Sequence, residues 1–140
     1  MLDIGFGEDI EYISLIGEKR IVARFAIHVQ SSWRIIKKDT IILASYDFYL
    51  PKNNFSNEEF NQNSFGNSKF DVKSLELNKR INLNPISVID ISSNVFGDVT
   101  IFMEDDCRFE IFVDSSEIEE FWRFYEMDTE KEHFVVLDKD

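Results

Sequence analysis

Few side chains in this sequence could do chemistry, and they are scattered. The densest group of oxygen donors is Glu104-Asp105-Asp106. Calcium and magnesium are held by oxygens that converge from spaced positions of a loop, and three adjacent carboxylates on a turn do not converge in that way. The reading there is a solvated turn without a metal. His28 and His133 are the only histidines. Each lacks His or Cys neighbours at the spacings zinc requires, and both are expected at strand edges. Ser115 or Ser116 with His133 and an aspartate have the residue types of a hydrolytic triad, yet no glycine-flanked serine marks a nucleophile elbow. Cys107 lacks the electropositive setting that lowers a thiol pKa. Gly5-Phe6-Gly7 is too short for a phosphate loop and precedes no lysine. The expectation is a protein that is not an enzyme and uses no cofactor.

Charge is the more informative feature. The 140 residues hold 27 acids and 15 bases, a formal net of −12. Residues 1–103 carry 13 acids against 11 bases, whereas residues 104–140 carry 14 against 4, so −10 of the −12 lies in the last quarter. A field of that sign repels phosphate backbones and anionic lipid, and it attracts basic proteins and speeds their docking. The expected partner is therefore a basic protein, with no nucleic acid and no membrane. The expected partner-binding residues are Glu104, Asp105, Asp106, Glu117, Glu119, Glu120, Glu126 and Asp128. Trp33-Arg34 and Trp122-Arg123 echo each other, and both residue types are enriched at interface hot spots. The bland reading is a core tryptophan beside an arginine paired with local acids.

The elements that must position these groups start with residues 95–125. Val99, Ile101 and Met103 alternate with polar positions, as do Cys107, Phe109, Ile111 and Val113, so the two segments read as a hairpin. Both apolar sets are odd-numbered, which requires an odd loop over residues 104–106. Met103 then faces Cys107, Ile101 faces Phe109, Phe102 faces Arg108 and Thr100 faces Glu110. A one-residue slip would put the two apolar faces on opposite sides. The glycine that such a loop usually takes is missing. Residues 114–125 read as a helix: Ser116 and Glu119 have capping-box spacing, and Ile118, Phe121, Trp122 and Tyr125 make one stripe. Glu119 and Arg123 stand as an i,i+4 pair.

Residues 8–16, with Ile10, Ile13 and Ile16 and a terminating Gly17, read as another short helix. Residues 18–20 read as a turn and residues 21–29 as a strand. Residues 33–36 and 40–50 read as a second hairpin in which Ile42, Ala44, Tyr46, Phe48 and Leu50 share a face until Pro51 ends it. Residues 52–69 form an Asn-rich polar loop that contains Phe55, Phe60 and Phe65. Residues 70–80 lean towards helix. Residues 86–91 form a strand whose apolar phase changes between Val88 and Ile89, which suggests a bulge or burial on both faces. Residues 133–137 give a last strand. The single cysteine, inward by phase, suits a reducing compartment, and the first nine residues contain neither a basic leader nor a long apolar run. The expected location is the cytoplasm.

Several segments resemble a set of small bacterial single-domain proteins of unassigned function, which in turn resemble the immunity proteins of toxin systems. They are residues 32–35, residues 97–102, Phe109 to Ser116, Glu120-x-Trp122-Arg123-Phe124, and residues 133–136. The shared motifs are structural rather than catalytic, so the resemblance carries no site residues. It implies a partner that is a toxin.

The sequence thus predicts an α+β fold over one domain, 1–140, with one mainly antiparallel, curved sheet and two or three short helices. The leading function is an immunity-like protein-binding module with an acidic C-terminal surface. The alternative is a small-ligand-binding domain whose curved sheet encloses an aromatic pocket of Phe25, Phe48, Phe109 and Trp122.

Overall fold

A computed structural model describes residues 1–52, 66–117, 119–127 and 131–137. In chain order its elements are β1 (Leu2–Ile13), β2 (Lys19–Val29), β3 (Trp33–Lys37), β4 (Thr40–Ala44), a 3-10 turn (Ser45–Tyr49), α1 (Lys69–Leu83), β5 (Val88–Ser93), β6 (Val99–Met103), β7 (Cys107–Ile111), β8 (Glu120–Glu126) and β9 (Phe134–Leu137). The fold is α+β and its strands are mostly antiparallel, as expected. They form two sheets rather than one, neither strongly curled, and α1 is the one α-helix among the described residues. The chain divides into two compact units. Residues 1–31 and 113–140 make a terminal unit with strand order β1-β2-β8-β9, and residues 32–112 make an inserted unit with strand order β4-β3-β7-β6-β5.

In the terminal unit, two segments expected to be helical are strands. Ile10 and Ile13 have helical spacing, but Leu2, Ile4, Phe6, Ile10 and Tyr12 all share even parity. The alternation wins because β2 supplies a partner from Leu2↔Val29 to Ile13↔Lys19. The register slips once, between Phe6 and Asp9, where Gly7 takes a left-handed φ of 81°. Gly17, also left-handed, closes the β1–β2 turn instead of capping a helix, and its N–H donates to the Ser14 carbonyl at 2.8 Å. Residues 120–126 likewise pair with β2, from Phe25↔Glu126 to Val29↔Trp122. Their aromatic content favours a strand once a partner edge exists. Phe121 and Trp122 are both buried, so adjacent positions face apolar surroundings and a helical stripe appears by coincidence. The Ser115 hydroxyl accepts the Glu117 N–H at 3.1 Å, a local turn rather than a helix cap. Ile118 lies outside the described residues.

The inserted unit bears out the β6–β7 hairpin in full: Met103↔Cys107, Ile101↔Phe109, Phe102↔Arg108 and Thr100↔Glu110. Asp105 and Asp106, with φ of 60° and 54°, take the left-handed positions where a glycine is usual. Asp tolerates this region better than most residues, since its short side chain satisfies nearby backbone. The bulge expected near Val88 is present, with Val88 opposite Met103 and Asp90 opposite Phe102, which leaves Ile89 as the extra residue. A second bulge corrects the phase of β4. Ile35 pairs with Leu43 and Ile36 with Ile41, so Leu43 is buried rather than Ile42 or Ala44. The strand also ends early. The Asp47 carboxylate accepts the Ala44 N–H at 3.0 Å and turns the chain into the 3-10 segment.

α1 starts at a capping box: Asp71 N–H donates to the Ser68 hydroxyl at 3.1 Å, and the Asp71 carboxylate accepts from Ser68 N–H at 3.3 Å. Phe70, in its first turn, meets Trp33 edge-on, and Trp33 also packs on Phe109. Residues 53–65, with Phe55, Phe60 and Phe65 of the Asn-rich loop, lie outside the described residues. The backbone flanking them is tied together by Lys52 N–H to the Asn67 carbonyl at 2.8 Å and Lys69 N–H to the Leu50 carbonyl at 2.9 Å. Where the inserted unit begins and ends, Phe112 N–H donates to the Ser32 carbonyl at 2.9 Å.

Candidate interaction surface

The structure divides the eight predicted carboxylates. Glu104, Asp105 and Asp106 lie on the β6–β7 turn of the inserted unit, whereas Glu117, Glu119, Glu120 and Glu126 belong to the terminal unit. Asp128 lies outside the described residues. Two of the eight are already occupied. Glu120 receives both Nε and Nη2 of Arg123, a forked pair. Glu126 receives Arg24 Nε at 3.1 Å and Lys131 Nζ at 2.6 Å, while Arg24 also reaches Glu8 at 2.8 Å. Arg123 holds the Glu120 carboxyl below its usual range despite burial. Lys131 first, and then Arg24, do the same for Glu126. Glu117 and Glu119 are exposed, and Arg123 bonds Glu120 rather than the Glu119 that helical spacing suggested.

The same sheet carries a polar row that the sequence did not reveal. Asp3 pairs with His28 and His28 with Arg123, across three strands, and the row ends against Val135 of the fourth. The Asp3 carboxylate lies 2.7 Å from His28 Nδ1, and Arg123 Nη1 lies 3.3 Å from His133 Nδ1. His133 stacks on Tyr125 with ring centroids 4.8 Å apart, and burial pushes the Tyr125 phenol up. His28 therefore sits in a central strand instead of at the expected strand edge, whereas His133 immediately precedes the edge strand β9. Among the described residues no hydrogen bond joins Ser115 or Ser116 to His133, and no group of three His, Cys, Asp or Glu could hold a metal.

In the inserted unit the acids are arranged differently. From Ile81 to Cys107 the sequence contains no Lys, Arg or His but has Asp90, Asp98, Glu104, Asp105 and Asp106. These surround β5. The Glu104 carboxylate accepts Ser87 N–H at 3.1 Å just before the strand, Asp90 lies within it, and Asp98 accepts from Asn94 Nδ2 at 2.9 Å in the turn that follows. All six residues of β5 are exposed, among them Val88, Ile89 and Ile91, and Val95 and Phe96 in the turn are exposed too. Two strands further in, on β7, Glu110 is bonded by both Arg108 of the same strand and Arg34 of β3. Burial raises that carboxyl, but the two guanidiniums outweigh it and the net shift is downward. Cys107 is buried, as its phase implied, and burial pushes its thiol up.

The four rings proposed to form a ligand pocket divide two to each unit. In the terminal unit Phe25 stacks on Phe124, and Trp122 meets Phe134. In the inserted unit Phe109 packs on Trp33, and Phe48 meets Phe70. A cavity of about 170 Å³ beside α1 is lined by Ile42, Leu43, Lys73, Glu76, Leu77 and Arg80, and by none of these rings. Among the described residues no helix is long and apolar enough to cross a membrane. No family model, no curated protein and no solved structure matches this chain.

Proposed function

We propose that this chain is a protein-binding module of the immunity-protein kind, which meets a basic protein partner, a toxin in that setting, through exposed carboxylates. It works in the cytoplasm and without catalysis. The observation that carries this reading is the −10 concentrated after residue 103, together with the exposure of Glu104, Asp105, Asp106, Glu117 and Glu119 outside the ion pairs formed among the described residues. Glu120 and Glu126 drop out of the docking set because their charge is already matched within the fold. The ring contacts give no support to the small-ligand alternative.

The test is the affinity for the basic protein encoded beside this chain, measured at about 50 and about 300 mM salt, a range over which exposed charge attraction is largely screened. Charge reversal of the turn (Glu104→Lys, Asp105→Lys, Asp106→Lys) or of Glu117→Lys with Glu119→Lys should weaken binding about tenfold and flatten its salt dependence. Unchanged affinity in both variants would remove the reading.

A further inference from the structure

We propose that the open edge of β5 takes up an extended peptide strand in which basic and apolar residues alternate. The inference rests on the basic-partner reading above and gives it a place and a binding mode.

Three observations converge on that edge. The first is that β5 ends the strand order, so its outward backbone groups have no strand partner among the described residues; the Ile91 N–H donates locally, at 2.8 Å, to the exposed Asp90 carboxylate, a contact that an incoming strand would replace. Such a row of N–H and C=O groups is a template for strand addition. The second is an apolar row that runs across the sheet into the edge without a stop: Leu43, Ile35, Phe109, Ile101 and Ile91 are successive partners. The first four are 3%, 6%, 1% and 2% exposed, and Ile91 is 60% exposed. A side chain from an added strand would cover Ile91 as Ile101 is covered now. α1 packs against β4, at the opposite end of the strand order.

The third observation is charge, and it selects the occupant. Asp90 pairs with Phe102 and so lies on the other face from Ile91, where Arg108, the nearest base in register, is bonded to Glu110. Asp98 and Glu104 mark the two ends of β5, about 20 Å apart at the usual strand rise. An incoming strand with apolar residues on the Ile91 face and Lys or Arg on the Asp90 face matches both rows. A second copy of this chain does not, because self-pairing brings two acidic edges together and β5, whose one charged residue is Asp90, offers no base to match it. The bulge at Ile89 and the charge at Asp90 are the devices that keep an edge strand from pairing indiscriminately, and they leave a basic strand as the permitted guest.

The probe is a terminally blocked peptide of about eight residues alternating Val and Lys, followed by fluorescence anisotropy with the full chain. Its companions are a Val/Glu peptide and two Val/Lys peptides N-methylated along one or the other edge, which removes the backbone donors of that edge only. The Val/Lys peptide should bind, and the Val/Glu peptide should bind at least about tenfold more weakly. N-methylation of one edge should abolish binding, and of the other should leave it unchanged. Asp90→Lys should cost about fivefold, and Glu117→Lys with Glu119→Lys nothing. Equal binding by both N-methylated forms would mean attraction by charge alone, which overturns strand addition and leaves the basic-partner reading in place. Absence of peptide binding while the basic protein still docks in a salt-sensitive way would do the same. Equal affinity for the Val/Glu peptide would overturn both. The N-methylated probes leave the protein unaltered, so their outcome does not depend on whether a variant folds.

Discussion

The two sheets use their carboxylates in opposite ways. In the terminal sheet, Asp3, Glu8, Glu11, Glu120 and Glu126 each lie against a histidine, lysine or arginine of a neighbouring strand or of the same strand. In the inserted sheet, Asp90 of β5 and Glu104, Asp105 and Asp106 of the β6–β7 turn fall in a run of sequence, Ile81 to Cys107, that holds no Lys, Arg or His. A formal charge count treats these acids alike. An acid bonded to a guanidinium contributes mainly to holding strands together, and its outward field is largely cancelled, whereas an exposed acid outside such a pair keeps more of its field for a partner. The difference shows that the location of excess charge must be read after pairing.

The largest expected effects separate the two sheets by their cores. Phe109→Ala in the inserted unit and Phe121→Ala in the terminal unit each remove a ring that is 1% exposed, and each should cost about 3–5 kcal/mol. Trp33 and Trp122 report on one unit each, so urea unfolding of the Trp33→Phe and Trp122→Phe backgrounds resolves which unit responds. The response should be asymmetric. The terminal sheet joins β2 to β8 across residues 32–112, whose ends are held together by the Ser32–Phe112 hydrogen bond. Unfolding the insert replaces that closure by a flexible loop of about 80 residues, an entropic cost of several kcal/mol. Phe109→Ala should therefore lower the Trp122 midpoint along with that of Trp33, while Phe121→Ala should move the Trp122 midpoint more. In this sense we propose that residues 1–140 act as one domain. Independent midpoints in both variants would count against it.

Acid comes next. Glu110, Glu120 and Glu126 all have folded-state pKa values below the ordinary 4.5. A depressed carboxyl stabilises the fold above its unfolded pKa, and that stability is lost as pH falls through the lower, folded value. Both tryptophan reports should thus show stability that is level near neutrality and falls below about pH 4.5. Glu120→Gln should remove about 1 kcal/mol at neutral pH, discounted for the partly exposed Arg123, and should flatten the acid limb of the Trp122 report. Glu119→Gln, exposed and one residue away, should stay within about 0.5 kcal/mol of the parent. Equal effects from the two would show that the forked pair contributes nothing.

Much of the inserted sheet is legible in the sequence, and for a physical reason. The parity of Val99, Ile101, Met103, Cys107, Phe109 and Ile111 admits one hairpin register, because any slip exposes one apolar face. The phase break at Val88 and Ile89 likewise announces the bulge. Residues 120–126 pass for a helix because Phe121 and Trp122 are both buried, and a strand covered on both faces shows no alternation. β1 passes for one because a window opened at Glu8 misses Leu2, Ile4 and Phe6, whose parity identifies the strand. The base-free run from Ile81 to Cys107 is visible in the sequence. Its meaning requires the strand order, which places β5 at an open edge, and strand order is set by contacts distant in sequence. The pairing of Glu126 with Arg24, 102 residues apart, is hidden for the same reason.

The smallest expected effect probes why the hairpin keeps its acids. Asp105 and Asp106 both hold left-handed φ values at the β6–β7 turn, a conformation that glycine adopts without a Cβ penalty. Asp106→Gly should therefore stabilise the inserted sheet by about 0.5 kcal/mol, the relief of the left-handed position being partly offset by the extra freedom of glycine in the unfolded chain. Asp106→Asn keeps a residue that tolerates the same φ and removes only the charge, so it should leave the Trp33 midpoint nearly unchanged. Both variants should weaken docking of the basic partner by a similar, small factor. That outcome would show a turn held below its attainable stability for the sake of charge. If Asp106→Gly leaves stability unaltered and neither variant changes docking, the aspartates are simply adequate turn residues. The contrast between the two sheets would then rest on Asp90 and Glu104.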